Sequence, residues 1–365
     1  MRVLHVISDR NVGGAGILLL NLLRHFDRSR VESTVALPKG SALCERLSGL
    51  GIAYVELAHD CDRANPASVR ELSRLIRAER IDLIHANAAL SARIAGRLCR
   101  VRVVHTRHCC FPVEEHGKLL QGILRRCNAA LSDRVIATAE AAADDLLALG
   151  VPTSKITVII NGSDPVREVE EGELDRARRE WGVDKSAFCV GICARLALCK
   201  GHETFLRAAR EVIDASDAPT VFLIAGEGPE RERLENEARA LGIADHVRFL
   251  GFLEDTAPFY RLLDVNVNCS VGTETSCLAI SEGMSAGVPT LATDYGGNPA
   301  MVDHGTSGFL FPQNDSHALA RLILKLEHDR TLLQALCQGA LDRYQTHFTA
   351  ERMARETERV YEAVL

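Results

Sequence analysis

Short apolar runs alternate with amphipathic stretches along the whole 365-residue chain, and the alternation occurs twice. That βα rhythm is the signature of a parallel sheet covered by helices on both faces. The first set of strand candidates is "RVLHVIS", "VESTVAL", "IAYVEL", "DLIHAN", "VRVVHTR", "RVIATA" and "KITVIING", with helical segments such as "PASVRELSRLIRAER" between most of them. A turn signal at Gly162 to Glu168 leads into a charged helix, after which "FCVGICAR", "TVFLIAG", "HVRFLGF", "DVNVNCS", "PTLAT" and "GFLFP" form a second set. The length exceeds one ordinary core of about 100–200 residues, so two α/β domains are expected. Their spans are 1–165 and 166–345, with a helix over about 346–365 returning to the first. The halves share a rhythm without a readable sequence repeat.

Composition narrows the function classes. With 47% hydrophobic residues, 25% charged and a net charge of -6, the chain lacks the basic excess of a nucleic-acid binder. The apolar run in "MRVLHVISDR" is too short for a secretory h-region, and nothing approaches about 18 unbroken apolar residues, so a cytoplasmic location is expected. The twelve cysteines are spread through the chain and read as reduced, small hydrophobes. Cys189, Cys193 and Cys199 lack paired C-x2-C spacing and Cys109-Cys110 are adjacent, so no metal site is expected.

Two segments could hold phosphate. "SDRNVGGAGILLLNLLRHF" sets Gly13, Gly14 and Gly16 between a strand and an apolar helix, where bare backbone N–H groups suit an anion. Position 19 is Leu19, so the dinucleotide fingerprint is not met, and the glycines equally serve a tight turn. "GICARLALCKGHETFLRAA" ends a strand with Arg195 and brings Lys200-Gly201 five residues later, at the carboxyl edge where open α/β sheets bind ligands. A guanidinium fork and a compact ammonium together suit a diphosphate; alone, such a pair also suits a solvated loop.

"GTETSCLAISEGMSAGVP", Gly272 to Pro289, carries Glu274 and Glu282. The pattern reads as a loop, then a helix closed by Gly287 with Pro289 beyond. Eight positions on one helix are about 80° out of register, so both carboxylates reach one ligand only if Glu274 stands on the loop. Small side chains at Ala279, Ser281, Gly283 and Ser285 leave room beside Glu282, and a carboxylate accepts two vicinal hydroxyls. Either glutamate taken alone also reads as a helix-capping or solvated residue.

In their order, "GGAG", "DLIHAN", "VHTRH", "VIINGSD", "ARLALCKG", "LIAGEGPER", "VRFLGF", "ETSCLAISEGMSAGVP", "DYGGNP" and "DHGTSGFLFP" resemble the retaining glycosyltransferases of the GT-B fold, family 4, over nearly the whole chain. The resemblance implies two Rossmann-like domains whose parallel sheets face a central cleft: an acceptor-side domain first, then a domain for the nucleotide-sugar donor. The glutamate pair matches the family's E-x7-E motif, which implies Glu282 on the donor's ribose and Glu274 on its sugar. Arg195 and Lys200 match the diphosphate-binding cations, His108 the histidine beside the transferred sugar, Gly14 (with Gly16 in the same loop) the glycine-loop contact, and Asn161-Gly162 the hinge. Thr275 and Ser276 stand where many members have a Gly-aromatic-Gly run, and offer hydroxyls to the sugar instead. Ala300 stands where members often carry glutamate. The implied donor is a nucleotide sugar, UDP the leading nucleotide. The implied acceptor is a glycan or lipid-linked sugar of envelope polysaccharide, lipopolysaccharide or glycolipid synthesis. No cofactor and no metal are expected.

Three other readings are open: a GT-B sugar-nucleotide epimerase and a catalytically silent sugar-nucleotide-binding module, which use the same residues, and a metal-dependent GT-A transferase, whose D-x-D motif "DCD" at Asp60 to Asp62 formally satisfies. The charge is also uneven. Residues 1–165 hold 22 basic and 17 acidic side chains, and the remainder 21 and 32. In "HGKLLQGILRRCNAALSD", Lys118, Arg125 and Arg126 alternate with Leu119, Leu120, Ile123 and Leu124. That pattern suits a surface helix packed on its own domain, or an interfacial helix on an anionic membrane at the inner face of the cytoplasmic membrane.

Overall fold

The computed structural model describes residues 1–108, 125–216 and 218–365. Contacts divide these into two compact units, Met1–Ser163 with Ala350–Leu365, and Asp164–Thr349. The chain changes unit two residues before Pro165. The returning segment starts at Ala350, because the long helix Arg330–His347 packs on the helix Leu278–Ser285 of the second unit and keeps residues 346 and 347 there.

The first unit is a seven-stranded sheet, ordered β3-β2-β1-β4-β5-β6-β7, with every pair parallel. Its strands are β1 Arg2–Ile7, β2 Glu32–Pro38, β3 Ala53–Leu57, β4 Leu83–Asn87, β5 Arg102–Arg107, β6 Arg134–Ala137 and β7 Ile156–Val158. Val3, Leu4 and Val6 on β1 and Leu83, Ile84 and Ala86 on β4 are wholly buried, as strands covered on both faces must be. Between the helices, Asn65 caps Pro66–Ala78 by accepting from the Ala67 N–H.

Three histidines interrupt the apolar centre of this sheet: His5 on β1, His85 on β4 and His105 on β5. His5 and His85 are register partners with ring centroids 5.5 Å apart. The returning helix Ala350–Glu362 lays Met353, Ala354, Thr357, Val360 and Tyr361 on this unit. Tyr361 packs against Phe26 and His5, and its hydroxyl is 2.6 Å from His85 Nδ1; Thr106 Oγ1 is 2.6 Å from His85 Nε2. The helix is therefore part of this unit's core, each large apolar side chain contributing about 1.5–3 kcal/mol.

The second unit is a six-stranded parallel sheet, ordered β10-β9-β8-β11-β12-β13. Its strands are β8 Phe188–Cys193, β9 Thr220–Ala225, β10 Val247–Gly251, β11 Val265–Asn268, β12 Thr290–Thr293 and β13 Gly308–Phe311. Phe188, Phe205, Phe222, Leu206, Leu319 and Ile323 anchor its core. Both sheets reverse their strand order between the first and fourth strands, β1/β4 and β8/β11, so each has one topological switch point at its carboxyl edge.

Candidate active site

In the second unit the switch point gathers Arg195, Lys200, Glu274 and Glu282. β8 runs out into Arg195 and the short 3-10 turn Leu198–Lys200, while β11 runs out into Ser270 and Glu274. Gly201 lies between the two loops at φ +65°, and a Cβ there would run into the Cys269 carbonyl, so only glycine fits. That approach seats Lys200 Nζ 2.7 Å from Glu274 Oε2.

Glu274 stands on the loop before the helix and is 5% exposed. The Ser270 hydroxyl donates to the same Oε2 at 2.6 Å. A buried chain of polar groups holds Ser270: Asn268 Oδ1 accepts its N–H at 3.0 Å, its carbonyl accepts from Thr293 Oγ1 at 2.7 Å, and Asn298 Nδ2 donates to the Thr293 carbonyl at 3.1 Å. Burial alone would raise the Glu274 carboxyl, but the Lys200 charge and hydrogen bonds from Lys200, Ser270 and Asn268 outweigh it and hold it below the usual carboxylate range. On Lys200 burial is likewise outweighed, by Glu274, and its ammonium is held above the usual value. In "DYGGNP", Gly296 at φ +58° lets the chain pass directly under the Glu274 carbonyl.

Glu282 lies inside the helix Leu278–Ser285, half-buried among small residues. Burial raises it to about 7, although the Tyr260 hydroxyl donates to its Oε2 at 3.0 Å. Two carboxylates eight residues apart are thus tuned in opposite directions, Glu274 held below the usual carboxylate range and Glu282 raised to about 7.

Arg195 is exposed and forms no hydrogen bond or ion pair among the described residues. Its loop is nonetheless fixed: the Leu196 N–H donates to the Glu227 carbonyl at 3.0 Å and the Glu230 N–H to the Leu196 carbonyl at 3.2 Å. With Lys200 paired to Glu274, Arg195 brings an unpaired positive charge to the switch point among the described residues. Thr275 and Ser276 are buried, and Ser276 Oγ donates to Met301 Sδ at 3.8 Å.

The first unit carries the remaining candidates. Gly13 and Gly14 are exposed at the start of the helix Gly14–His25, which has no side-chain cap, and a Cβ at either would meet nothing within 4 Å. Its first N–H groups suit an anion. Gly16 is instead buried against the Leu43 side chain, a packing position. His108 follows β5, and Asn87 at the end of β4 accepts from its Nε2 through Oδ1 at 3.0 Å. Burial lowers the His108 imidazole to about 4, so it is neutral, with Nδ1 as its acceptor nitrogen. Asn87, Thr106, Thr138, His85 and Asn161 share with His108 a cavity of about 20 Å³. At the end of the first unit, Asn21 Nδ2 donates to the Gly162 carbonyl at 3.4 Å.

The "DCD" tripeptide occupies an exposed loop after β3, with Asp60 paired to Arg10 at 3.0 Å and the Cys61 side chain buried. Among the described residues, no group of three His, Cys, Asp or Glu is arranged for a metal, and no helix is long and apolar enough to cross a membrane. Lys118, Leu119, Leu120, Ile123 and Leu124 lie outside the described residues. Arg125 and Arg126 are exposed on a helix over 125–130, the Arg125 stem lying against Gly150. Sequence reasoning missed Tyr260, Asn87 and the Ser270, Asn268, Thr293, Asn298 chain. The available signal was the polar residues set into the otherwise apolar "VNVNCS" and "DLIHAN".

Residues 12–167 match the model of Glycosyltransferase Family 4, and residues 174–342 that of Glycosyl transferases group 1. The chain is 30% identical over 305 residues to D-inositol 3-phosphate glycosyltransferase of Corynebacterium urealyticum, covering 78% of this chain and 72% of that one. The chain is a family 4 glycosyltransferase. This glycosyltransferase is also 24% identical over 306 residues to N-acetyl-alpha-D-glucosaminyl L-malate synthase of Bacillus anthracis, 82% of this chain and 79% of that one. The crystal structure of Anabaena HepE in complex with UDP-glucose superposes with a TM-score of 0.85 over 100% of both chains at 22% identity. The fold of this glycosyltransferase is thus GT-B, which removes the GT-A reading of Asp60 and Asp62.

Proposed function

We propose that this glycosyltransferase transfers a sugar, with retention of configuration, from a UDP-sugar to a hydroxyl of a glycan or lipid-linked acceptor in cell-envelope polysaccharide or glycolipid synthesis. The observation that carries the reading is the convergence of Arg195, the Lys200–Glu274 pair and Glu282 on one switch point. HepE, of the same fold, binds UDP-glucose, which supports UDP as the nucleotide.

In this reading Glu282 accepts the ribose hydroxyls, and Arg195 and Lys200 face the diphosphate. As the glycosyl phosphate bond breaks, charge grows on the departing nucleoside diphosphate and the sugar becomes oxocarbenium-like. The two cations stabilise the leaving group as that charge develops, each worth about 2–4 kcal/mol. Glu274, ionised beside Lys200, lies where the donor sugar is assigned. The resemblance also assigns to the reaction two groups of the first unit, the neutral His108 with Nδ1 as its acceptor nitrogen and the exposed N–H groups at Gly14. The acceptor attacks from the leaving group's own face and the diphosphate takes its proton, so no protein nucleophile and no metal are required. Arg125 and Arg126, exposed, support attachment to anionic lipid, each basic residue near the surface contributing about 1 kcal/mol.

The test is transfer from UDP-, GDP- and ADP-sugars to a panel of acceptors in EDTA, with the anomeric configuration of the product read by NMR. An α-linked product from an α-linked UDP-sugar is expected. An inverted product, dependence on manganese, or release of a free or epimerised sugar without acceptor would overturn the reading.

A further inference from the structure

Glu282 is the one of the two glutamates without a basic partner among the described residues; what holds it is a phenol. Tyr260 lies on the helix Ala257–Leu262, wholly buried, its ring packed edge-on against Phe259 at 5.1 Å between centroids. From there its hydroxyl reaches across to Glu282 Oε2 at 3.0 Å. A fully buried tyrosine has little rotamer freedom, so this hydrogen bond fixes the carboxylate plane as well as occupying one oxygen. Gly283, where a Cβ would crowd the Asn266 side chain, lets the Glu282 helix lie close to β11.

We infer that Tyr260 is a positioning residue of the donor site: it binds Glu282 Oε2 from the protein side and leaves Oε1 to accept the vicinal hydroxyls of the nucleoside. The inference rests on the proposed assignment of Glu282 to the ribose. It adds that selection for a ribose diol depends on a side chain that touches no part of the donor.

The surroundings make the arrangement specific. Besides Tyr260, the titratable groups acting on this cluster are the Cys193 and Cys277 thiols, and burial pushes both up to about 12, so both stay protonated. Burial, with the nearby Cys193 and Glu282, likewise raises the Tyr260 phenol well above its usual value, so it remains a donor throughout the neutral range. The phenol therefore opposes the burial of Glu282 and favours its ionised form, the form that can accept two hydroxyls.

The test compares the affinities of UDP and 2′,3′-dideoxy-UDP for the full chain, by calorimetry, in wild type, Tyr260→Phe and Glu282→Gln, with melting temperatures to confirm folding. Wild type should prefer the diol. Tyr260→Phe should cut that preference about tenfold, the scale of a hydrogen bond to a charged group, with dideoxy-UDP affinity nearly unchanged. The pH midpoint of UDP affinity should also move upward in Tyr260→Phe. If Glu282→Gln abolishes the preference while Tyr260→Phe leaves both it and the pH midpoint intact, the positioning role falls and the ribose assignment stands. If Glu282→Gln also leaves the preference intact, the ribose assignment itself fails and the inference with it. Should Tyr260→Phe not fold, Tyr260→Met, which likewise lacks the hydroxyl, gives the same comparison.

Discussion

Lys200 and Glu274 form a 2.7 Å ion pair inside the site, so the lysine assigned to the diphosphate is already half of a neutral couple before any ligand arrives. Losing one partner strands the other. Lys200→Ala should destabilise the protein by roughly 3 kcal/mol, because Glu274 is left buried and charged. The double variant Lys200→Met/Glu274→Gln should recover most of that in a denaturation midpoint while remaining inactive. Equal destabilisation of single and double variants would show that the pair contributes nothing to the fold.

Arg195, exposed on a rigid loop, should behave differently. Arg195→Ala should leave the melting temperature within about a degree, since it removes no intramolecular partner among the described residues, and should lower kcat more than it raises KM for the donor. A pure KM effect would mean that the guanidinium binds donor and transition state alike.

Glu282 gives donor affinity a pH dependence. Its carboxyl sits at about 7, and only the ionised form accepts both ribose hydroxyls, so UDP affinity should fall as pH drops below 7, by up to about tenfold per unit. Glu282→Gln should flatten that part of the profile, and calorimetry between pH 5.5 and 8.5 would decide. Its effect on stability has the opposite sign: the folded state holds this proton more tightly than the unfolded chain, so ionisation between about 4.5 and 7 costs stability as pH rises.

Histidines dominate the acid side. Burial lowers His5 to about 3, and His108 and His202 to about 4, with His85 and His105 also well below their usual value. For a lowered imidazole the unfolded state binds more protons, so stability is fully present above about 6.5 and is lost as pH falls toward 4. Five such groups outweigh the opposite contributions of Glu282 and Asp9, whose carboxyls burial raises, and four of the five lie in the first unit. Acid titration by circular dichroism should show loss of structure beginning below pH 6.5, and His5→Phe should delay it.

His202 is buried with neither ring nitrogen hydrogen-bonded among the described residues. An imidazole in that position costs about 1–3 kcal/mol of unmet desolvation. His202→Leu should therefore raise the melting temperature by a few degrees. A lower melting temperature would mean that the ring has a partner or a shape the leucine cannot replace.

The doubled βα rhythm alone determined the two parallel sheets, because central strands buried on both faces must be written as continuous apolar runs, and the thirteen strands of the described residues appear in the order the sequence lists them. Local spacing also placed Glu274 on a loop and Glu282 in a helix, since eight residues fix a helical angle. What spacing could not show is which groups meet across the sheet. The Lys200–Glu274 pair depends on Gly201 passing under the Cys269 carbonyl, and the Tyr260–Glu282 bond joins positions 22 residues apart on different helices. Tyr361 reaches His85 from 276 residues away, so the core role of the last helix is invisible to any local pattern. Gly16 shows the same limit in reverse: a glycine in a phosphate-loop pattern is spent on packing against Leu43. The sequence by itself determined the elements and the residue types at the carboxyl edges, which follow from local periodicity. Only the tertiary structure decided the partners and charge states of those residues, because burial and long-range contact, not neighbours in the chain, set the electrostatics of a carboxylate or an imidazole.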